Sequence, residues 1–121
     1  MLTVGVDIIE IDRVGEALAR RGERFLQRIY TEAEIALYRD RVQELAARFA
    51  GKEAAMKALG TGANGIGWKE IEILPNRRGK PLVFLHGRAK DRAEALGITE
   101  LAISLSHSKD FAVASVIGGM Y

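Results

Sequence analysis

The sequence predicts an α+β fold in which an antiparallel sheet packs against one long helix. Three observations predict it. The N-terminus alternates with the period of two of a strand, the stretch 44–59 is alanine-rich and helical, and 75–81 is a turn between an alternating run and a short apolar one. The element order reads β-α-α-α-β-β-α-β-β, with no internal repeat, low-complexity segment or linker, and residues 1–121 read as a single domain.

Leu2, Val4, Val6 and Ile8 alternate with Thr3, Gly5 and Asp7, so the first strand has one apolar face and carries Asp7 on the other. Gly5, two positions away, leaves room beside that carboxylate. From Asp12 to about Arg28 the spacing turns helical through Val14, Leu18, Phe25 and Ile29, and Gly22 makes two short helices as good a reading as one. Thr31 followed by Glu34 is a capping box that starts another helix. A bend at 38–42 leads into the long helix 44–59, which Gly60 closes. Residues 60–67 form a glycine-rich loop. The runs 69–74 and 82–85, joined by Pro75-Asn76-Arg77-Arg78-Gly79-Lys80-Pro81, predict a hairpin. A helix over 88–96 stops at Gly97, and strands 101–106 and 111–117 follow, joined through His107-Ser108-Lys109-Asp110.

Composition removes several classes of function. Hydrophobic residues make up 48% of the chain, which supplies a core and argues against disorder. A domain of this length buries a limited share of its surface, so self-association would help it. Cysteine is absent, which excludes disulfides and thiolate metal sites and suits a reducing cytoplasm. No apolar run approaches the roughly 20 residues of a membrane span. The first residues enter a strand pattern where a signal peptide would need a basic and then an apolar segment. A net charge of +2 is too small to point to nucleic acid.

The chemistry centres on the long helix. Leu45, Phe49, Met56 and Leu59 share a stripe, Lys52 projects into it, and Glu53 and Lys57 sit at its edge. The plain alternative is a surface ion pair between Glu53 and Lys57, worth about 0.3–0.5 kcal/mol, with Lys52 reaching outward. Gly51 costs helix stability and would let a ligand or another backbone come close. The glycine-rich loop offers backbone N–H groups to phosphate oxygens, although it is no Walker sequence. With Asp7 and Glu53 near phosphates, the set fits Mg²⁺, which prefers a few carboxylate oxygens plus phosphates and water. Glu10 and Asp12 have a simpler reading as helix-start charge. His107 stands among Ser106, Ser108 and Lys109 as an anion contact; a Ser–His nucleophile pair is disfavoured because adjacent strand residues point to opposite faces. Arg13, Arg20, Arg24 and Arg28, flanked by Arg21, make a basic stripe if the helix is continuous, and Gly22 could break its register.

Three motifs resemble one family. Val4-Gly5-Val6-Asp7-Ile8 with Glu10 and Arg13, then Arg48 to Gly62, then Ser104-Leu105-Ser106-His107-Ser108 with Ala112 and Ala114, are similar to the motifs of bacterial holo-acyl carrier protein synthases. Asn76, Gly79, Lys80 and Pro81 match the family's turn, and Gly51 departs from a frequent alanine. The resemblance spans essentially the whole chain and implies a 4'-phosphopantetheinyl transferase-like fold. It implies transfer of the phosphopantetheine arm of coenzyme A to a serine of acyl carrier protein in fatty acid biosynthesis, with release of 3',5'-ADP. In that reading Asp7 and Glu53 hold Mg²⁺, and Lys57 neutralises phosphate. Arg48, Lys52 and His107 serve the 3'-phosphate and adenosine end, while Gly60, Thr61, Gly62, Ser106 and Ser108 line the coenzyme A pocket. The base is Glu53 or a metal-held water. The basic stripe of Arg13, Arg20 and Arg24 would meet the acidic carrier, and the assembly would be a homotrimer with sites between subunits.

Three rival readings set the tests. A transferase serving a polyketide or peptide synthase carrier would differ in the carriers it modifies. A binding module would hold coenzyme A without releasing 3',5'-ADP. A structural domain would gain no thermal stability from any ligand.

Overall fold

The computed structural model describes residues 1–61 and 65–120. Strand β1 (Leu2–Glu10) runs directly into helix α1 (Ile11–Arg21). Gly22, at φ 53°, ends α1 by returning its N–H to the Leu18 carbonyl, and α2 (Glu23–Ile29) starts afresh. The stretch 12–28 is therefore two helices, because a side chain at that φ would be strained. Helix α3 (Glu32–Tyr38) carries the predicted capping box: Thr31 N–H donates to Glu34 Oε1 at 2.8 Å, and Glu34 N–H donates to Thr31 Oγ1 at 3.2 Å. Helix α4 (Val42–Ala58) follows after a short bend. A 3-10 turn at Trp68–Glu70 leads into the hairpin β2 (Ile71–Pro75) and β3 (Pro81–Leu85), then α5 (Gly87–Leu96), β4 (Ile98–His107) and β5 (Phe111–Met120).

The strands form an antiparallel sheet of order β1-β5-β4 and a separate β2-β3 hairpin. Helix α4 crosses the sheet and is buried on most sides. Its alanines allow this, since short side chains let neighbours approach from several directions. Ala50, Ala54 and Ala58 face a core with Ile71, Ile73 and Val116, while Ala46 and Ala47 pack with Ile11 of α1, Leu26 of α2 and Tyr30 just after α2.

The two faces of β1 have unexpected surroundings. Its apolar face ordinarily would lie on the core. Instead Leu2, Val4, Val6 and Ile8 are 57% to 72% exposed, and Ile117, the register partner of Val4, is exposed beside them. The side bearing Thr3, Gly5 and Asp7 is the one that meets α4. A Cβ on Gly5 would lie 2.0 Å from the Ala54 carbonyl oxygen and 2.8 Å from the Ala58 nitrogen. Strand and helix therefore touch backbone to backbone at Gly5, and Thr3 Oγ1 donates to the Ala58 carbonyl at 2.7 Å.

Gly51 serves packing. A Cβ there would meet the Ile73 and Ile103 side-chain tips at 2.6 and 3.1 Å and Leu105 at 3.3 Å. The expectation that it admits a ligand is corrected: it admits the side chains of the sheet and hairpin.

Candidate active site

The backbone contact at Gly5 sets Asp7, two residues along the same face, beside the exposed edge of α4. Lys57 Nζ donates to Asp7 Oδ1 at 3.0 Å and to the Val6 carbonyl at 3.0 Å. Glu53, one turn earlier on α4, faces Asp7 closely enough for the two carboxyls to interact. Burial and then the charge of Asp7 push the Glu53 carboxyl above its usual range, while Lys57 and Arg13 pull the other way. Lys57 thus spans from helix to strand and is more than the expected i,i+4 partner of Glu53.

Two adjacent carboxylates, one raised by burial and its neighbour, form a spot where further positive charge would be stabilising. The donor set is two hard oxygens. Among the described residues there is no cluster of three or more His, Cys, Asp or Glu able to hold a metal. Two carboxylates with the remaining positions left to phosphates and water suit Mg²⁺.

Two confluent clefts open beside these carboxylates. One, of about 470 Å³, is lined by Asp7, Glu53, Arg13, Val14, Phe25, Phe49 and Trp68. The other, of about 460 Å³, shares Arg13, Phe25, Phe49 and Trp68 and adds Arg20, Arg21, Arg24 and Arg28. The break at Gly22 therefore leaves the basic stripe on one surface. Sequence reasoning missed the aromatic wall: Phe49 stacks on Trp68 with ring centroids 4.8 Å apart. Phe49 carried a stripe signal, but Trp68 lay in an unassigned stretch.

The remaining predicted residues fall into separate groups. Gly60 and Thr61 close the C-terminal end of α4, where Thr61 N–H and Oγ1 both bond the Met56 carbonyl. Gly62 lies outside the described residues. Ser106 and His107 are exposed at the end of β4, and Ser108 Oγ accepts from Phe111 N–H at 3.2 Å, which ties the β4–β5 turn. His107 lines a cleft of about 480 Å³ with Asp40, Arg41, Val42, Gln43 and Glu44 at the start of α4. Arg41 was not singled out from sequence; its position at the N-cap of the strongest helix is the signal that was available. Arg48 is buried, stacked at 3.9 Å over the Tyr38 ring, with Nη2 donating to Tyr38 Oη at 2.7 Å and Nη1 3.7 Å from Glu44. Its Nε has no hydrogen-bond partner among the described residues.

Lys52 calls for a correction. Its side chain is 0% exposed, and Nζ donates to Glu34 Oε1 at 2.8 Å, to the Trp68 carbonyl at 3.0 Å and to the Ile71 carbonyl at 2.6 Å. All three ammonium donors are used inside the core. Lys52 neither reaches outward nor has a donor to offer coenzyme A.

The chain is similar to known proteins over nearly its whole length. Residues 3–116 match a family described as the 4'-phosphopantetheinyl transferase superfamily. The chain is 54% identical to a holo-[acyl-carrier-protein] synthase of Herpetosiphon aurantiacus, over 98% of each chain. It is 51% identical to the protein of the same name from Dehalococcoides mccartyi, over 97% of this chain and 98% of that one. The holo-[acyl-carrier-protein] synthase of Helicobacter pylori, solved in complex with coenzyme A, superposes with a TM-score of 0.87 at 32% identity, covering 96% of this chain and 99% of that one.

Proposed function

The chain belongs to the 4'-phosphopantetheinyl transferase superfamily, and on that premise we propose that it moves the phosphopantetheine arm of coenzyme A to a serine of apo-acyl carrier protein, in fatty acid biosynthesis. The observation that carries the reading is the meeting of Asp7, Glu53 and Lys57 at the mouth of a basic, aromatic-walled cleft. Coenzyme A, bound in the similar Helicobacter pylori structure, would be its donor.

The serine oxygen forms a bond to the β-phosphorus of coenzyme A, and the bond from that phosphorus to the 3',5'-ADP oxygen breaks. Asp7 and Glu53 are the residues that would hold Mg²⁺. When bound, the ion supplies polarisation of the phosphoryl group and stabilises charge on the leaving diphosphate. Lys57, fixed between strand and helix, offers its ammonium to phosphate oxygens. The serine proton passes to Glu53 or to a water beside it. Arg13, Arg20, Arg24 and Arg28 face the acidic carrier and speed its approach.

The reading includes a homotrimer with shared sites, and two features support it. The sheet leaves Leu2, Val4, Val6 and Ile8 facing outward as an apolar face. The residues assigned to coenzyme A also divide: Gly60 and Thr61 lie at one end of the 17-residue helix α4, while His107 and Arg41 share the cleft at the other, about 25 Å along its axis. Contributions from two subunits would bring such groups around one ligand, with His107 and Arg41, linked to Arg48 through Glu44, at the 3'-phosphate. A single phosphopantetheinyl transferase domain acting in the cytoplasm completes the reading, supported by the absence of cysteine.

Incubation with apo-carrier, coenzyme A and Mg²⁺ should release 3',5'-ADP, and EDTA should stop the release. Tight coenzyme A binding without 3',5'-ADP would select the binding-module reading instead.

A further inference from the structure

Trp68 forms part of the wall of both clefts beside Asp7 and Glu53, yet it belongs to a 3-10 turn of three residues. So short an element holds no position by its own hydrogen bonds. From the outside it is tied by Glu70, which accepts from Gly67 N–H at 2.6 Å and pairs with Arg88 at 3.0 Å. From the inside the tie is Lys52, whose ammonium takes the carbonyls of Trp68 and Ile71, one at the start of the turn and one just past its end. The third bond goes to Glu34, itself fixed by Thr31 N–H and by Ile73 N–H at 2.8 Å. Lys52 adjoins Glu53 on α4, and Phe49, one turn earlier, stacks on the indole. One helix therefore carries the carboxylate, the stacking ring and the ammonium that fixes that ring's partner.

Burying a lysine and a glutamate together gains little stability over apolar side chains of the same shape. Packing alone would be served by methionine at both positions, so the fixed geometry is what the pair supplies. We propose that Lys52 is a positioning residue that pins Trp68 against α4 and so shapes the wall on which the carrier protein seats. The inference rests on the transferase reading for its kinetic consequence but not for the pinning itself.

Trp68 is the sole tryptophan, so its fluorescence reports on this wall without any substrate. The test compares the full-length parent with Lys52→Met/Glu34→Gln, which removes both buried charges, and with Glu34→Gln alone, which keeps the two carbonyl bonds. Acrylamide quenching, emission maximum, far-UV circular dichroism and steady-state kinetics are measured on each. The double variant should stay folded, quench about twice as readily, shift its emission to the red, and lose up to about a hundredfold in kcat/KM for the carrier, as expected for misplacement on the order of 1 Å. Its KM for coenzyme A should stay near the parent's. Glu34→Gln should keep the parental quenching; if the double variant does not fold, Lys52→Met alone, which breaks the two carbonyl bonds and leaves Glu34 its bonds to Thr31 and Ile73, carries the test with the same expected rise in quenching.

Parental quenching in a folded double variant would overturn the proposal. So would equal exposure of Trp68 in Glu34→Gln, or altered fluorescence with unchanged carrier kinetics. A parent that transfers nothing to any carrier would sink the transferase reading, while the quenching comparison would still decide whether Lys52 pins the indole.

Discussion

The two faces of β1 teach different lessons about the same nine residues. The face of Thr3, Gly5 and Asp7 is small and polar, and it is the one pressed onto α4. The face of Leu2, Val4, Val6 and Ile8 is apolar, and it is the one left open. On the inner face polarity is tolerated because every group is engaged. Gly5 makes space, Thr3 bonds a helix carbonyl, and Asp7 meets Lys57 and Glu53. Among the described residues the outer face has no such engagement, and a second copy is its proposed occupant. In the proposed function the inner face builds the chemistry and the outer face the assembly.

The largest break in that comparison should come from Gly5→Ala. The new Cβ would strike the backbone of α4, which cannot move aside as a flexible side chain can. We expect a loss of about 3 kcal/mol, at the upper end of overpacking costs, read by thermal or chemical unfolding, together with loss of transfer. Gly51→Ala supplies the contrast, because its nearest neighbour is the tip of Ile73; its loss should be well under half as large. Equal effects would mean that the close approach at Gly5 has no special role.

Next come Asp7→Ala and Glu53→Ala. Both side chains are partly accessible, so each variant should fold with a Tm near the parent's. Turnover should fall by about three orders of magnitude, in line with the several kcal/mol of charge stabilisation that a metal supplies. EDTA should reproduce the loss in the parent. Full activity in EDTA would remove the metal from the mechanism.

How legible these faces were depends on the residue. The alternation of β1 was plain, but not which side α4 would cover. That depended on Gly5, whose contact is with residues about fifty positions later. The long helix was legible from its alanines, and the capping box from Thr31 and Glu34. Lys52 stands on the apolar stripe, yet from sequence it reads as an outward-reaching side chain or an anion ligand rather than a buried one. Its partners could not be seen: Glu34 read only as a cap, and the carbonyls of Trp68 and Ile71 have no side-chain signature. The pairing of Lys57 with Asp7, rather than only with its helical neighbour, likewise needed the fold. Asp7, Glu53 and Lys57 were nevertheless named together, because motif resemblance carries the outcome of contacts that spacing alone cannot show.

A smaller effect is expected on the outer face. Val4→Lys with Val6→Lys adds charge where α4 makes no contact, so the fold should persist. Light scattering should then show a monomer, and kcat/KM for coenzyme A should fall by about tenfold or more as shared sites come apart. An active monomer of either parent or variant would reject the shared-site assembly.

The smallest change concerns the basic cleft. Arg24→Glu or Arg13→Glu should raise KM for the carrier severalfold and leave KM for coenzyme A nearly unchanged, with parental carrier affinity weakening as salt rises. Carrier KM unchanged in both variants, with no salt dependence, would reduce the stripe to a solvated surface.

The most direct test of the central claim is the intact mass of apo-acyl carrier protein after incubation with this protein, coenzyme A and Mg²⁺, with Asp7→Ala run in parallel. The account predicts that the carrier gains one phosphopantetheine group on its serine with the parent and gains none with the variant. An unchanged carrier with the folded parent, or full modification by Asp7→Ala, would contradict it.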